Sequence, residues 1–503
     1  MVSRQLLPKS LWVFIAIVGI IKLIVAASID FGNDEVYYWT YALNLKWNYF
    51  DHPPFIAWLI RLSTLNLSLH NEIAVRFGAI LSSAICTLLV FKIGHFLSGN
   101  KLAWYAVYLY TASLYCSIIA GTFILPDSPQ MVFWLWGFFL LLKINRQSHF
   151  TTWCWFGLAC GLCILCKIHG VFLWFGAFLM ILPKIKQTLT QKGIYAAAGI
   201  SLLLFSPVIF WNFNNHFITY TYHSERVSFL NSGINPISFF REISGEFLYN
   251  NPIVFCVVWW AVISFSIKKQ KKLKAERRVI LCCSIPLIAT LICFALFRDT
   301  LPHWSGPAYS LLIFLAAIKL EEMANQLKAK RLAFSALALV VFIIVLGLNA
   351  VHFYPGSLAP EKDNLHFGAG DPTLDLYGWP ETGEIVKTQR LNDGSQFSDI
   401  VVIDKWFPAA HLDFYVCPNA HLYTFGIGEI FDLHEYYWSN KNKKALLKGG
   451  NAYYIVPSNL FNANALATMQ SKFKSCSLAR IAPIYRNGRI CKNVLIYKLY
   501  DRK

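Results

Sequence analysis

Residues 11–40 read LWVFIAIVGIIKLIVAASIDFGNDEVYYWT. The first nineteen of these residues carry a single charge, Lys22. The chain then turns to Asp30, Asp34 and Glu35, followed by Tyr37, Tyr38 and Trp39. An apolar run of that length is sufficient to cross a hydrocarbon core as a helix. The run is long, lacks an A-x-A site and leads straight into the acidic, aromatic segment, so a span fits it better than a cleavable leader.

Working outward, the whole chain has the same character. Of its 503 residues 56% are hydrophobic and only 14% charged, and the mean hydropathy is +0.46. A soluble domain carries about 25% charged residues. There is too little polar surface here to cover a water-soluble particle, and disordered, collagen-like and coiled-coil chains are excluded on the same ground. Apolar runs fall near 11–29, 76–97, 102–122, 130–144, 150–166, 169–183, 193–211, 252–267, 279–297, 305–320 and 332–352. The expected fold is an α-helical polytopic membrane protein of about 11 transmembrane helices. The 17 Trp, 24 Tyr and 40 Phe suit many helix ends at two lipid interfaces.

A net charge of +18 invites a nucleic-acid reading, but the distribution of that charge argues against one. Residues 1–352 hold 28 Lys+Arg and 13 Asp+Glu, whereas residues 353–503 hold 17 and 14. With a cytoplasmic N-terminus, alternate loops (1–10, 98–101, 143–149, 184–192, 268–278 and 321–331) contain 18 Lys+Arg and three acids, Glu276, Glu321 and Glu322. This is the positive-inside pattern. An odd number of spans then places residues 353–503 outside the cytoplasm. Two domains are expected. The first is a transmembrane catalytic part, 1–352, with outer loops 30–75 and 212–251. The second, 353–503, is a small soluble α/β domain whose signals are turns such as Gly378-Trp379-Pro380, β-like runs at Ser398–Ile403 and Val494–Leu499, and a helix after Phe407. The two long loops read as amphipathic helices along the interface, with Tyr37, Tyr38, Trp39, Tyr41 and Trp47 as its anchors. Gly157 and Gly161 form a G-x-x-x-G suited to close helix packing.

Ten of the 13 cysteines lie in the membrane part, nearly all in apolar runs, where Cys acts as a small hydrophobe. Cys160, Cys163 and Cys166 imitate a metal spacing without a fourth ligand in register. Cys417, Cys476 and Cys491 allow one disulfide at most, and Cys476–Cys491 is the pairing favoured.

The residues able to carry chemistry sit on the outer side. Asp34 and Glu35 follow directly on a transmembrane helix, where carboxylates are costly. Either they accept a proton from an acceptor hydroxyl, or they mark where the chain meets water and cap a helix. Asp51-His52-Pro53-Pro54 is a rigid turn in which an Asp–His hydrogen bond competes with a catalytic role. Asp127, between Pro126 and Pro129, is either a cap or a second carboxylate facing the same cavity as Asp34. Arg76, Lys167, Arg226, Arg241, Arg298 and His303 supply positive or titratable heads. Singly these snorkel; together with carboxylates they suit a phosphate, which Arg binds bidentately. Carboxylates as base, cations for a phosphate and a greasy helical body fit a lipid-phosphate substrate. Sugar transfer from such a lipid needs only a base and charge compensation for the departing monophosphate. No cofactor is expected and a divalent metal is not indicated.

Asp34-Glu35-x-Tyr37-Tyr38-Trp39 with Tyr49-Phe50-Asp51-His52-Pro53-Pro54 resembles the bacterial protein-O-mannosyltransferase-like glycosyltransferases, membrane enzymes of the GT-C fold related to the lipid A aminoarabinose transferase. Val75-Arg76-Phe77, Pro126-Asp127-Ser128-Pro129, the Lys167 segment, Pro302-His303-Trp304 and Asp371-Pro-Thr-x-Asp375-Leu-Tyr377-Gly378-Trp379 match in order, so the resemblance covers roughly residues 10–440. It implies a polyprenyl-phosphate sugar donor used on the periplasmic face of the bacterial inner membrane, with inversion. It implies Asp34 as general base beside Glu35, Asp127 as the second acid and Arg76 on the phosphate side. Lys167 and Arg298 join Arg76 around the phosphate, Asp127 and His303 orient substrates, and Tyr38 and His52 complete the substrate contacts. The expected acceptor is lipid A or a related envelope glycan. A protein acceptor is the alternative, and a lipid-linked sugar transporter or flippase is the rival from another class. Membrane lipids are the expected surroundings, and nucleic acid is not an expected partner.

Overall fold

In hydrocarbon no water satisfies backbone N–H and C=O groups, so a spanning chain closes those bonds inside helices. The computed structural model describes residues 7–227, 233–267, 273–394 and 397–503, and it places helix on each of the eleven apolar runs. In chain order the helices are α1 (Lys9–Ser28), α2 (Asn33–Leu43), α3 (Phe55–Ser63), α4 (Glu72–Ser98), α5 (Asn100–Ala112), α6 (Asp127–Arg146), α7 (Phe150–Cys166), α8 (Val171–Ile181), α9 (Ile185–Leu189), α10 (Lys192–Asn214), α11 (Ile218–Val227), α12 (Pro236–Tyr249), α13 (Pro252–Ile267), α14 (Lys274–Ala295), α15 (Gly306–Glu322) and α16 (Gln326–His352). Among the described residues six segments are long and apolar enough to cross a membrane: α1, α4, Ile168–Leu189, α10, α14 and α16. Pro236–Tyr249 and Pro252–Ser266, bent by 102°, pass together as a seventh. Six or seven rather than about eleven result because α5, α7 and α15 are shorter than the roughly 20 residues a span needs, and the polar ends of α6 lower its hydropathy.

The chain separates into two compact units. The first comprises Met1–Ala26 and Leu45–Ile343, the second Ala27–Asn44 and Ile344–Lys503. In the first unit α15 is the central helix. Nearly every residue from Gly306 to Leu320 is buried, and a helix apolar on all sides belongs in a core. It packs on α5, α13 and α14, and Phe314 stacks on Phe138 of α6 at 5.8 Å. The glycine motif does bring helices together. A Cβ at Gly157 would meet Ala197 Cα of α10 at 2.6 Å, and one at Gly161 would meet Leu204 at 2.6 Å. Cys163 and Cys166 donate to backbone carbonyls inside this packing.

The second unit holds a five-stranded sheet in the order β2-β1-β3-β5-β4, with β1 Ile400–Ile403, β2 Tyr423–Gly426, β3 Ala452–Pro457, β4 Phe473–Arg486 and β5 Arg489–Arg502. β1 runs parallel to β2 and β3; β5 is antiparallel to β3 and β4. Asn487 and Gly488, both at positive φ, make the β4–β5 turn, as an Asn-Gly pair does between strands. A helix does follow Phe407: α18 (Trp406–His411), which comes after α17 (Trp379–Asp393) and runs on through a wider turn over Leu412–Val416. Arg486 and Asp371 form a wholly buried ion pair at 2.9 Å, with Arg486 also donating to the Gly356 carbonyl at 2.8 Å.

Two expectations are corrected here. All thirteen cysteines are free thiols. Cys476 lies opposite Leu499, whereas Cys491 lies at the turn end of the hairpin, beside the Ile484↔Lys492 pair. The two are thus separated by eight residues along β5, roughly 25 Å, and cannot form a disulfide. Of the five expected interface anchors only Trp47 is exposed; Tyr37, Tyr38, Trp39 and Tyr41 are buried. Their partners are protein rings: Tyr37 meets Trp406 at 4.8 Å and Trp39 meets Phe414 at 4.9 Å.

Candidate active site

α6 begins where Pro126 sets the turn, so its first residue, Asp127, has no helix before it. Asp127 is almost completely buried, and a buried carboxylate needs partners. One oxygen, Oδ2, accepts from Lys167 Nζ at 2.8 Å; Oδ1 accepts from Tyr115 Oη at 2.8 Å. Lys167 is itself buried and joins α7 to the turn Ile168–Gly170. The Gln130 amide donates to the Lys167 carbonyl at 3.4 Å, which ties that junction to α6. Burial opposes ionisation of Asp127, but the charges of Lys167 and His303 and the bonds from Lys167 and Tyr115 outweigh it and hold the carboxyl well below the usual carboxylate range.

Four histidines surround this pair. His52 lies within electrostatic reach of Lys167, His223, Asp127 and His169. The His52 and His223 rings are 6.2 Å apart, and His223 Nε2 donates to the Asp51 carbonyl at 2.9 Å. His169 sits beside Trp304 at 5.7 Å, and His303 beside Tyr249 at 6.1 Å. Desolvation and the Lys167 charge push His52 well below its ordinary value and His303 down to about 4. At neutral pH these two rings are therefore neutral, and each offers one N–H and one acceptor nitrogen. The arrangement is a buried, charge-balanced pair ringed by polar groups able to reorganise their hydrogen bonds around a ligand.

The other cations of the first unit stand elsewhere. Arg76, fully buried in the second turn of α4, donates to the Ala26 carbonyl near the end of α1 at 2.8 Å and lies 5.6 Å from the Phe123 ring. Helix ends leave carbonyls unmet, and the guanidinium answers one of them. Arg298 is exposed, and its carbonyl accepts from Ser238 Oγ at 2.6 Å. Arg241 pairs with Asp299 at 2.6 Å on the surface. The side chain of Arg226 and the run Lys268–Lys272 lie outside the described residues.

In the second unit the acidic stretch after α1 is fixed by the tail. Trp379 N donates to Asp30 Oδ2 at 3.0 Å, Asn33 Nδ2 to Asp375 Oδ2 at 3.1 Å, and Phe31 N to Tyr415 Oη at 2.8 Å. His411 Nε2 donates to the Phe31 carbonyl at 2.9 Å, and its ring stacks on Trp379 at 4.1 Å. Burial drives His411 down to about 3, so it stays neutral and holds the Nε2–H tautomer that the carbonyl requires. Glu35 is buried and closes the start of α2 by accepting from Gly32 N at 3.0 Å. Asp34, one residue earlier, is exposed on the first turn. The Glu35 carboxylate thus caps the helix while the Asp34 carboxylate meets solvent. Tyr38 packs on Tyr37 and Tyr41 at 5.8 and 5.5 Å.

The structure thus brings Asp127, Lys167, His52 and His303 together, and it gathers Asp34, Glu35 and Tyr38 on α2. Arg76 is buried and Arg298 exposed. Sequence reasoning missed Tyr115 and His223, since a tyrosine inside an apolar run and a histidine in a long loop carry no spacing signal.

The model of the dolichyl-phosphate-mannose-protein mannosyltransferase family matches residues 51–211, from the Asp51-His52-Pro53-Pro54 turn into α10. The matched segment is less than half of the chain. It contains His52, Arg76, Asp127 and Lys167. The chain is 22% identical over 286 residues to a lipid A galacturonosyltransferase of Rhizobium johnstonii, covering 56% of this chain and 58% of that protein. It is 22% identical over 343 residues to an undecaprenyl phosphate-alpha-4-amino-4-deoxy-L-arabinose arabinosyl transferase of Proteus mirabilis, covering 62% of this chain and 58% of that one. Both matches therefore span less than two thirds of the relative. In structure the chain resembles ArnT from Cupriavidus metallidurans bound to undecaprenyl phosphate, with a TM-score of 0.61 at 13% identity, over 97% of this chain and 98% of that one. The fold is accordingly that of ArnT.

Proposed function

We propose that this chain is a glycosyltransferase that moves a sugar from a polyprenyl-phosphate donor to lipid A or a related envelope acceptor. The observation that carries the reading is the buried Asp127–Lys167 pair with its neutral histidines, inside the segment that matches a lipid-phosphate-sugar transferase family. The names of the relatives, a lipid A galacturonosyltransferase and an undecaprenyl-phosphate arabinosyl transferase, agree in the class of donor or acceptor.

In this reading Asp34 takes the proton of the acceptor hydroxyl. The acceptor oxygen bonds to the anomeric carbon from the face opposite the phosphate, the bond from that carbon to the phosphate oxygen breaks, and the configuration inverts. The polyprenyl phosphate leaves with the bonding electron pair. Arg76, Lys167 and Arg298 compensate its charge, with Asp127 holding Lys167 in place. His52, His303 and Tyr38 orient the substrates, and Glu35 fixes the turn that presents Asp34. The positive-inside pattern supports a cytoplasmic N-terminus and a periplasmic 353–503 domain in the bacterial inner membrane, with the membrane part ending near residue 352. The test is mass spectrometry of envelope lipids from cells with and without the gene. Loss of one sugar from lipid A or a core glycan is expected. An unchanged profile, together with a sugar lost from periplasmic glycopeptides, would move the acceptor to protein.

A further inference from the structure

At the end of α6 away from Asp127, some 30 Å along a 20-residue helix, the first unit has a second cavity. It measures about 640 Å³ and is walled by the ends of α6, α7, α8 and α14 and by α9. That volume lies in the range of ligand pockets. Its floor is apolar: Ile144, Trp153 and Val279 are buried there. Its rim is cationic, with Arg146, Lys184, Lys274 and Arg278. Arg146 is already matched, by Glu276 Oε1 at 2.9 Å. Among the described residues no ion pair engages the other three. One wall is a fixed polar chain in which Trp153 Nε1 donates to Ser148 Oγ at 2.9 Å and Ser148 Oγ to Gln191 Oε1 at 2.5 Å.

Three unmatched cations over a greasy floor, at the level where membrane helices end, have a definite complement. A bare anion satisfies the rim and leaves the floor to water. A phosphate with acyl chains satisfies both, and basic pockets between transmembrane helices are lipid headgroup sites. We propose that this cavity binds the phosphate of an anionic phospholipid. It is distinct from the Asp127–Lys167 cluster and does not depend on which sugar the enzyme transfers.

The full chain in detergent would be titrated with phosphatidylglycerol, with phosphatidylethanolamine of the same acyl chains, and with inorganic phosphate as competitor, and bound lipid read by native mass spectrometry. Phosphatidylglycerol should bind at least tenfold more tightly than phosphatidylethanolamine. The triple variant Lys184→Ala, Lys274→Ala, Arg278→Ala should weaken it by roughly a hundredfold, since each surface cation contributes about a factor of five. Lys184→Arg with Lys274→Arg should retain binding, which separates charge from folding. Displacement of the lipid by millimolar inorganic phosphate would make free phosphate the occupant and overturn the lipid assignment. Equal affinity for the two lipids, or unchanged binding in a folded triple variant, would overturn the proposal.

Discussion

Asp34 and Asp127 are both carboxylates at the start of a helix, and their surroundings give them opposite characters. Asp34 is exposed, with Glu35 doing the capping beside it; Asp127 is enclosed, and its charge is committed to Lys167 and Tyr115. Asp34→Asn should lower the transfer rate by 10²-fold or more, the scale of losing a general base, with donor binding retained in a filter assay. Asp127→Asn should act on stability first. It leaves Lys167 buried without its counter-charge, a change that costs about 3–5 kcal/mol, read as a lower melting temperature in detergent. Lys167→Met in the Asp127→Asn background should recover part of that loss; strictly additive losses would contradict the pairing. His303 gives a pH prediction. Its folded pKa is depressed to about 4 against an ordinary value of 6.5. Between these the unfolded chain binds the extra proton, so stability is full above pH 6.5 and falls as pH drops toward 4. A thermal-melt series should show that slope, and His303→Asn should flatten it.

At the scale of elements, α2 depends on the tail for its position within the second unit. The Asp371–Trp379 segment supplies Asp375 and the Trp379 backbone to Asn33 and Asp30, and Trp379 is itself wholly buried against His411 and Lys492. Trp379→Ala should cost about 3–5 kcal/mol in that unit, speed amide exchange across 33–43, and lower transfer with Asp34 untouched. Unchanged exchange there would sink this account of the motif. Gly306 plays a comparable part at the head of α15: a Cβ would come within 2.3 Å of the Tyr115 ring that holds Asp127. The helices were legible because apolar runs of membrane length have few other outcomes, and the Asn487-Gly488 turn because few residues accept two positive φ values in succession. The place of α2 was not legible. Tyr37, Tyr38, Trp39 and Tyr41 have the composition of a lipid-interface belt, and nothing local shows that Trp406 and Phe414, nearly four hundred residues on, cover them. The Asp127–Lys167 pair was half legible. Each residue stood out as a polar group at a helix end, but forty residues of apolar chain between them gave no sign that they meet.

For the whole molecule, the thin supply of charge is concentrated at helix ends. The described ion pairs include two, Lys167–Asp127 and Arg486–Asp371, with side chains almost or wholly out of solvent, one in each unit. Of the 28 Lys and Arg in residues 1–352, 18 fall in the alternate loops that carry the positive-inside pattern. The fold is that of ArnT, and the proposed chemistry is sugar transfer from a polyprenyl phosphate with Asp34 as base. The most direct test is a reconstituted assay. The purified chain in proteoliposomes is given a radiolabelled polyprenyl-phosphate sugar and lipid A, and label is followed into the acceptor for wild type and Asp34→Asn. A new glycosidic bond is expected with wild type, and its loss, at normal donor binding, in the variant. Movement of the labelled lipid across the bilayer with no bond formed, or wild-type transfer by Asp34→Asn, would contradict it.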